Sequence, residues 1–208
     1  MKTVTISTSG LDMGITMEDV IAVARHLANI SISEAALDAM AQSRKQIEAL
    51  AASDSPVYGV STGFGALAQR HIPAESRTQL QRSLIRSHAA GTGAPVEREV
   101  VRATMLLRLK TLASGRTGAR PIVAQTIAAL LNAGITPVVY EYGSLGCSGD
   151  LAPLAHCALV LMGEGEATDA NGLARPVTEL LAEAGISPLE LREKEGLALI
   201  NGTDGMLG

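Results

Sequence analysis

The chain has 208 residues, a formal net charge of -4, and a composition that is 47% hydrophobic but only 2% aromatic. A core of this composition must be filled mainly by Leu, Ile, Val, Ala and Met side chains packed between helices, which favours a helical bundle. Acidic and basic residues are intermixed and leave no basic stripe of the kind that a phosphate backbone requires, so we expect no nucleic-acid partner.

The cysteines, the N-terminal residues and the longest apolar run indicate the cellular compartment in which we expect the protein. Cys147 and Cys157 lie ten positions apart, without the close pairs of a zinc site or the density of a disulfide framework, and the four histidines show no ligand spacing. Residues 1–10 do not resemble a secretory signal, and the longest apolar run, 151–162, is shorter than the roughly 20 residues that span a bilayer. We therefore expect a cytoplasmic protein with no metal site and no membrane segment.

Apolar residues at helical spacing, with capping residues at the ends, predict a mainly helical chain. A Ser- and Gly-rich stretch at 54–65 predicts a loop, and residues 143–149 predict a glycine-rich turn that feeds a helix. A short strand is predicted at 138–140, and a small hairpin at 164–175. The predicted helices begin after the cap residue Thr16 and then span 33–50, 77–90, 96–113, 122–132, 151–162, 177–184 and 188–197.

The glycine-rich turn contains a serine between glycines, in the sequence Gly146-Cys147-Ser148-Gly149-Asp150. Its residues alone favour a capping turn, in which Ser148 or Asp150 accepts hydrogen bonds from the first N–H groups of the helix. Anion binding at the helix N-terminus is a second possibility. The third is cyclisation of the backbone, because Gly149 lacks the Cβ that would keep its nitrogen from the Cys147 carbonyl carbon.

Three further positions are candidates for chemistry, each with an ordinary structural alternative. Tyr58 begins a loop that ends at Gly65, where an aromatic could simply anchor a lid; an unperturbed tyrosine, with a pKa of about 10, is a poor base at neutral pH. His88 follows Ser87 on an apolar helix face, where a histidine is more often a hydrogen-bonded core residue than a ligand. Asn201 precedes a glycine, and such a pair alone indicates only a turn.

The stretch 142–167, which reads YGSLGCSGDLAPLAHCALVLMGEGEA, resembles the signature of the aromatic amino acid ammonia-lyases. This resemblance implies that Cys147, Ser148 and Gly149 form the family's electrophile, 4-methylidene-imidazol-5-one (MIO), while Asp150 orients the cyclising loop. Most of the family has alanine in place of Cys147. The departure should be tolerated, because that side chain points off the ring and takes no part in its closure.

The other candidate positions also match motifs of the family. The loop from Tyr58 to Gly65 resembles the one that carries the catalytic tyrosine, which implies that Tyr58 removes the β-proton of the substrate. Ser87 and His88 match the selectivity position of the histidine ammonia-lyases, so the resemblance implies that His88 contacts a substrate imidazole. Asn201 matches the asparagine that holds the substrate and the MIO region.

The resemblance covers nearly the whole chain from about Gly10 onward. It implies a mainly α fold, in which an N-terminal active-site domain leads into a helical bundle, with residues 1–208 forming the N-terminal portion of a single longer chain. The implied activity is the deamination of L-histidine to urocanate and ammonia by a homotetramer without a diffusible cofactor, and we expect the 208 residues alone to be inactive. Two alternatives stay open: a phenylalanine or tyrosine ammonia-lyase or aminomutase, and a non-catalytic helical fragment in which Ser148 remains an unmodified cap.

Overall fold

The computed structural model describes residues 2–8, 14–144 and 149–208, and helices dominate these segments, as the sequence predicts. The helices are α1 Met17–His26, α2 Glu34–Ala51, α3 Ala74–His88, α4 Arg98–Ala113, α5 Pro121–Asn132, α6 Leu151–Leu161, α7 Val177–Glu183, α8 Glu195–Ile200 and α9 Asp204–Leu207. The strands are β1 Thr3–Ile6, β2 Asn29–Ile32, β3 Thr92–Pro95, β4 Thr136–Pro137, β5 Tyr140–Tyr142, β6 Glu166–Thr168 and β7 Ala174–Pro176.

Local sequence signals mark several of the helix boundaries. Thr16 forms a reciprocal capping box with Asp19 at the start of α1, and the Ser33 side chain accepts from the third residue beyond it at the start of α2. Pro121 occupies the first turn of α5, where a missing N–H costs nothing. Gly163 follows the end of α6 with a φ of +78°, a conformation that glycine adopts without penalty. The helices predicted from these signals are confirmed.

Helix α4 lies at the centre of the core and packs against α1 and α5. Its Leu106, Leu109 and Leu112 are completely buried. Leu130 of α5 and Leu154 of α6 are buried in the same cluster. Aliphatic side chains thus fill the space between the helices, as a composition with so few aromatics requires.

The strands form three small sheets. β1 pairs with β2 in parallel, β3 pairs with β5 antiparallel, and β4, β6 and β7 form an antiparallel sheet that contains the predicted hairpin. The single strand predicted at 138–140 is wrong. The Val138 N–H donates to Glu166 while the Val139 carbonyl accepts from Val96, so the chain passes at this point from one sheet to another.

The helix predicted at 188–197 is also wrong, because residues 186–192 are not helical and α8 begins only at Glu195. The Leu189 N–H donates to the carbonyl of Leu161 at 2.8 Å, and the Arg120 guanidinium donates to the carbonyl of Glu190 at 2.6 Å. These long-range bonds satisfy backbone groups that a helix would otherwise pair internally. The short α8 that remains leads directly to Asn201.

Candidate active site

The predicted cyclising tripeptide precedes α6 in the sequence, separated from it by Asp150. Cys147 and Ser148 are outside the described residues, whereas Gly149 and the flanking Ser144 are described. Gly149 has a φ of +115°, and a Cβ built on it would lie 3.4 Å from the Asn201 side-chain oxygen. The conformation therefore favours glycine at this position, and the asparagine amide lies beside it.

Asp150 connects the two sides of this turn. Its buried carboxylate, only 2% exposed, accepts from the Ser144 hydroxyl and from the Met206 N–H, each at 3.1 Å. Its own N–H donates to the carbonyl of Gly202 at 2.6 Å. The carboxylate forms no side-chain cap on α6, so Asp150 does not act as the capping residue that the residues alone would favour, and it ties the turn to the segment that follows α8.

The start of α8 is held by a buried ionic cluster that sequence reasoning missed. Glu195 is fully buried and accepts two bonds of 2.8 Å from the Arg120 guanidinium and one of 2.8 Å from the Arg192 N–H. The hydrogen-bonded Glu195 carboxylate raises the pKa of Arg120. The Gly196 N–H donates to the buried side-chain oxygen of Gln81 at 2.9 Å. Helix α8 is therefore fixed to α5 and α3 before it reaches Asn201.

Arg108 of α4 holds the other end of α8. Its guanidinium donates to the carbonyl of Asn201 at 3.3 Å and to that of Ala198 at 3.1 Å, and it forms an ion pair with Asp204. A Cβ on Gly202 would collide with this guanidinium. An arginine between leucines, in the stretch Leu106 to Leu109 of α4, is the signal that could have pointed to this role, because a charge that is buried with its apolar neighbours needs a partner.

The Tyr58 loop packs against α8 from a different direction. Tyr58 is 52% exposed, and its ring meets that of Phe64 edge to face at 5.9 Å. Gly59, with a φ of +70°, approaches Leu197 so closely that a Cβ would lie 3.0 Å from its side chain. Gly65, which has a φ of +54° and open space around it, begins a short 3-10 turn. The structure thus connects this loop and Gly149 through the two ends of α8, and no described contact joins Tyr58 to Gly149 directly.

His88 ends α3 and is partly exposed. Its Nδ1 lies 2.8 Å from the carbonyl of Leu84 and 3.1 Å from the Ser87 hydroxyl. A carbonyl can only accept, so Nδ1 carries the proton, and Nε2 of the neutral ring keeps a lone pair. Ser87 and His88 line an open cleft of about 590 Å³ together with Gly149. Tyr142, 68% exposed, lines the same cleft and was not a candidate from the sequence.

The described segments contain neither a group of side chains suited to a metal ion nor a helix suited to crossing a membrane. Within residues 2–8, 14–144 and 149–208, no group of three or more His, Cys, Asp and Glu side chains could hold a metal ion. None of the helices in these segments has both the length and the apolar character needed to cross a bilayer. Burial raises the pKa of the Cys157 thiol to about 12, so this side chain stays protonated at neutral pH.

The chain is similar to known proteins both in its sequence and in its structure. The family model for aromatic amino acid lyases matches residues 15–208. The histidine ammonia-lyase of Streptomyces griseus is 69% identical over all 208 residues, and the chain spans 40% of that protein's length. Two solved structures superimpose with a TM-score of 0.87: tyrosine aminomutase from Streptomyces globisporus, 40% identical, and histidine ammonia-lyase from Trypanosoma cruzi, 34% identical. Each alignment covers 99% of this chain, and 37% and 38% of the respective structures.

Proposed function

Because the chain belongs to the aromatic amino acid lyase family, we propose that it is the N-terminal portion of an enzyme that deaminates L-histidine to urocanate and ammonia. The observation that carries the proposal is the cleft that Gly149 shares with Ser87 and His88. It puts polar partners for an imidazole next to the turn that contains the cyclising tripeptide. The 69% identity with a histidine ammonia-lyase across all 208 residues supports the same substrate.

The residues around the turn fit the MIO group that the family uses. Gly149 has the positive φ that glycine favours, Asn201 lies beside it, and Asp150 anchors the backbone on its C-terminal side. Formed from Cys147, Ser148 and Gly149, the group would supply an electrophilic methylene for a nucleophilic group of the substrate, which would make ammonia a better leaving group. No diffusible cofactor is needed for this chemistry.

The chain's own side chains would do the remaining work. Tyr58, exposed on its loop, would remove the β-proton of the substrate. The Nε2 lone pair of His88 would accept a hydrogen bond from the substrate imidazole, since Nδ1 is already committed to Leu84. The Asn201 amide would hold the substrate beside the turn. In the full-length protein we propose a cytoplasmic homotetramer, as in the family.

Peptide mapping of the active full-length enzyme tests the cofactor. A peptide containing Cys147, Ser148 and Gly149 should be lighter by two waters than its sequence requires, and Ser148→Ala should abolish both the mass loss and the activity while leaving the fold intact. A tripeptide of unmodified mass in active enzyme would contradict the proposal.

The substrate is tested by comparing histidine, phenylalanine and tyrosine in the same full-length enzyme. Replacing Ser87-His88 by Phe-Leu should reduce kcat/KM for histidine more than for phenylalanine, because a site built for hydrogen bonding rejects partners that leave its polar groups unpaired. Equal losses on both substrates would show that selectivity lies elsewhere.

A tyrosine aminomutase is the second candidate, since the Streptomyces globisporus aminomutase is 40% identical and has the same TM-score of 0.87 as the Trypanosoma cruzi histidine ammonia-lyase, but the 69% identity with a histidine ammonia-lyase ranks it below the lyase. The two activities differ in their products, because an aminomutase returns a rearranged amino acid whereas a lyase releases ammonia. Product analysis after incubation with tyrosine and with histidine therefore separates them.

A further inference from the structure

His156, on the second turn of α6, makes a hydrogen bond that none of the motifs above explains. Its Nε2 accepts from the Gly91 N–H at 3.0 Å. Gly91 lies three residues beyond His88, in the connection between α3 and β3. The bond therefore joins the segment that carries His88 to the helix that begins next to Gly149.

The packing around this bond leaves no space for a larger residue at position 91. A Cβ on Gly91 would lie 3.0 Å from the His156 Nε2 and 3.3 Å from the Cβ of Tyr140. Gly143 approaches from the other side, since a Cβ built there would lie 3.3 Å from the Gly91 Cα. Because Gly143 and His88 both line the cleft, the bond lies directly behind its wall.

The ring is also held from β5 and β6. Tyr140 meets the His156 ring edge to face at 5.2 Å, and the Tyr140 hydroxyl donates to the Glu166 carboxylate at 2.6 Å. Tyr140 and Glu166 are the titratable groups that face the imidazole from these strands, while the α3–β3 connection presents the uncharged Gly91 backbone. The orientation of the His156 ring is thus fixed by the edge-to-face contact with Tyr140 and by the bond to Gly91.

We propose that His156 is a positioning residue of the active site: its neutral ring, through Nε2, holds the segment after His88 against α6 and so sets the spacing between His88 and Gly149. The inference rests on the proposed function for its effect on substrate, whereas the hydrogen bond is testable without it.

The bond exists in one protonation state only. A neutral imidazole that accepts at Nε2 carries its proton on Nδ1, and an imidazolium has no lone pair with which to accept. Burial holds the pKa of His156 below its ordinary value near 6.5, and the Glu166 carboxylate opposes that shift. The ring is therefore neutral at pH 8, and the bond is lost as the pH falls below about 6.5 and through the depressed pKa.

Hydrogen exchange of the peptide covering residues 89–95 tests the bond in the full-length protein, with wild type, His156→Gln and His156→Leu compared at matched pH. The Gln amide oxygen can replace Nε2 as an acceptor at every pH, whereas Leu cannot accept at all. At pH 8 we expect equal protection in wild type and His156→Gln, and roughly tenfold less in His156→Leu, as for the loss of one hydrogen bond. As the pH is lowered stepwise below 6.5 and through the depressed pKa of His156, wild type should approach the Leu level while the Gln variant keeps its protection.

Equal protection of wild type and His156→Leu at pH 8 would overturn the proposal, and so would a parallel decline of wild type and His156→Gln towards pH 5. If the Leu variant does not fold, the comparison of wild type with the Gln variant decides alone.

Kinetics with histidine give the second measurement. His156→Leu should raise KM roughly tenfold at pH 8 with little change in kcat, and wild type should show an acidic rise in KM that is smaller in His156→Gln. Effects of pH on the substrate and on the rest of the site are common to all three proteins and cancel in the comparison. A KM that does not distinguish the three proteins would contradict positioning, whereas absence of any histidine turnover, with the exchange result intact, would contradict only the proposed function.

Discussion

Tyr58 is the residue whose proposed role is easiest to separate from stability. It is 52% exposed and contacts the ring of Phe64, so Tyr58→Phe removes one oxygen and leaves that contact in place. In the full-length enzyme we expect kcat to fall by roughly 10²- to 10⁴-fold, the usual cost of losing a general base. Steady-state assays measure the effect, and an unchanged melting temperature and unchanged mass of the cyclised peptide serve as controls. Near-normal turnover would assign the base to another residue.

Gly149 offers a test of why the turn requires glycine. Its φ is +115°, and a Cβ would lie 3.4 Å from the Asn201 oxygen and 3.6 Å from the Gly202 carbonyl oxygen. Contacts of this length are ordinary, so the obstacle is local: Gly149→Ala should prevent the loss of two waters, as read by peptide mass, because a side chain is strained at this φ and its Cβ hinders the approach of the nitrogen to the Cys147 carbonyl carbon. Gly172→Ala is the matched control, because its φ of +82° is also positive but nothing lies within 4 Å of a Cβ there. That variant should lose about 1 kcal/mol of stability and still cyclise, and equal cyclisation in both variants would refute the argument.

At the scale of an element, α8 depends on the buried Glu195. Glu195→Gln removes the charge that Arg120 pairs with inside the protein, and we expect the free energy of unfolding of the full-length chain to fall by about 3 to 5 kcal/mol. Glu99→Gln is the control, since Glu99 pairs with Arg25 at the surface and the two side chains are 44% and 58% exposed; its loss should be about 0 to 1 kcal/mol. Denaturant unfolding monitored by circular dichroism measures both, and similar losses would mean that the buried cluster does not anchor α8.

Two of the predicted helices, one confirmed and one wrong, show which elements a sequence can specify. Residues 151–162 were predicted as a helix because the glycine-rich turn before them and Gly163 after them are local signals. Residues 188–197 carry a similar amphipathic pattern, yet their first part is not helical and bonds to Leu161 and Arg120 instead. Those partners are distant in the chain, so periodicity within a window could not reveal them.

At the scale of the whole molecule, the same distinction separates the candidate site residues from the contacts that hold them. Tyr58, His88, Gly149 and Asn201 are predicted because each lies in a motif that the family resemblance identifies. Arg108 was missed, because its pairing with Asp204 joins residues 96 positions apart. Such pairings follow from how the helices pack, and they determine how the motif residues are held without appearing in any motif.

The last prediction concerns the 208 residues as an isolated protein. Helices α4 and α6 bury their apolar faces within this segment, so we expect it to fold and to unfold cooperatively. The chain spans only 40% of the length of its Streptomyces griseus relative, and the cleft beside His88 is open. We therefore expect no urocanate absorbance when the isolated segment is given histidine, under conditions in which the full-length enzyme is active.

Adding the remaining part of the full-length sequence as a separate chain should restore activity if that part completes the cleft. The exposed Met206 and Leu207, 74% and 72% accessible on α9, provide an apolar surface against which it could pack. Replacing both by Glu should weaken the complementation by the added chain while leaving the segment folded. Leu173→Glu is the control: Leu173 of the hairpin is also exposed, at 63%, and its replacement should leave the complementation unchanged.

If the segment alone released ammonia from histidine, the residues already described would be sufficient for catalysis, and the proposal that the site is shared with the rest of the protein would have to be abandoned.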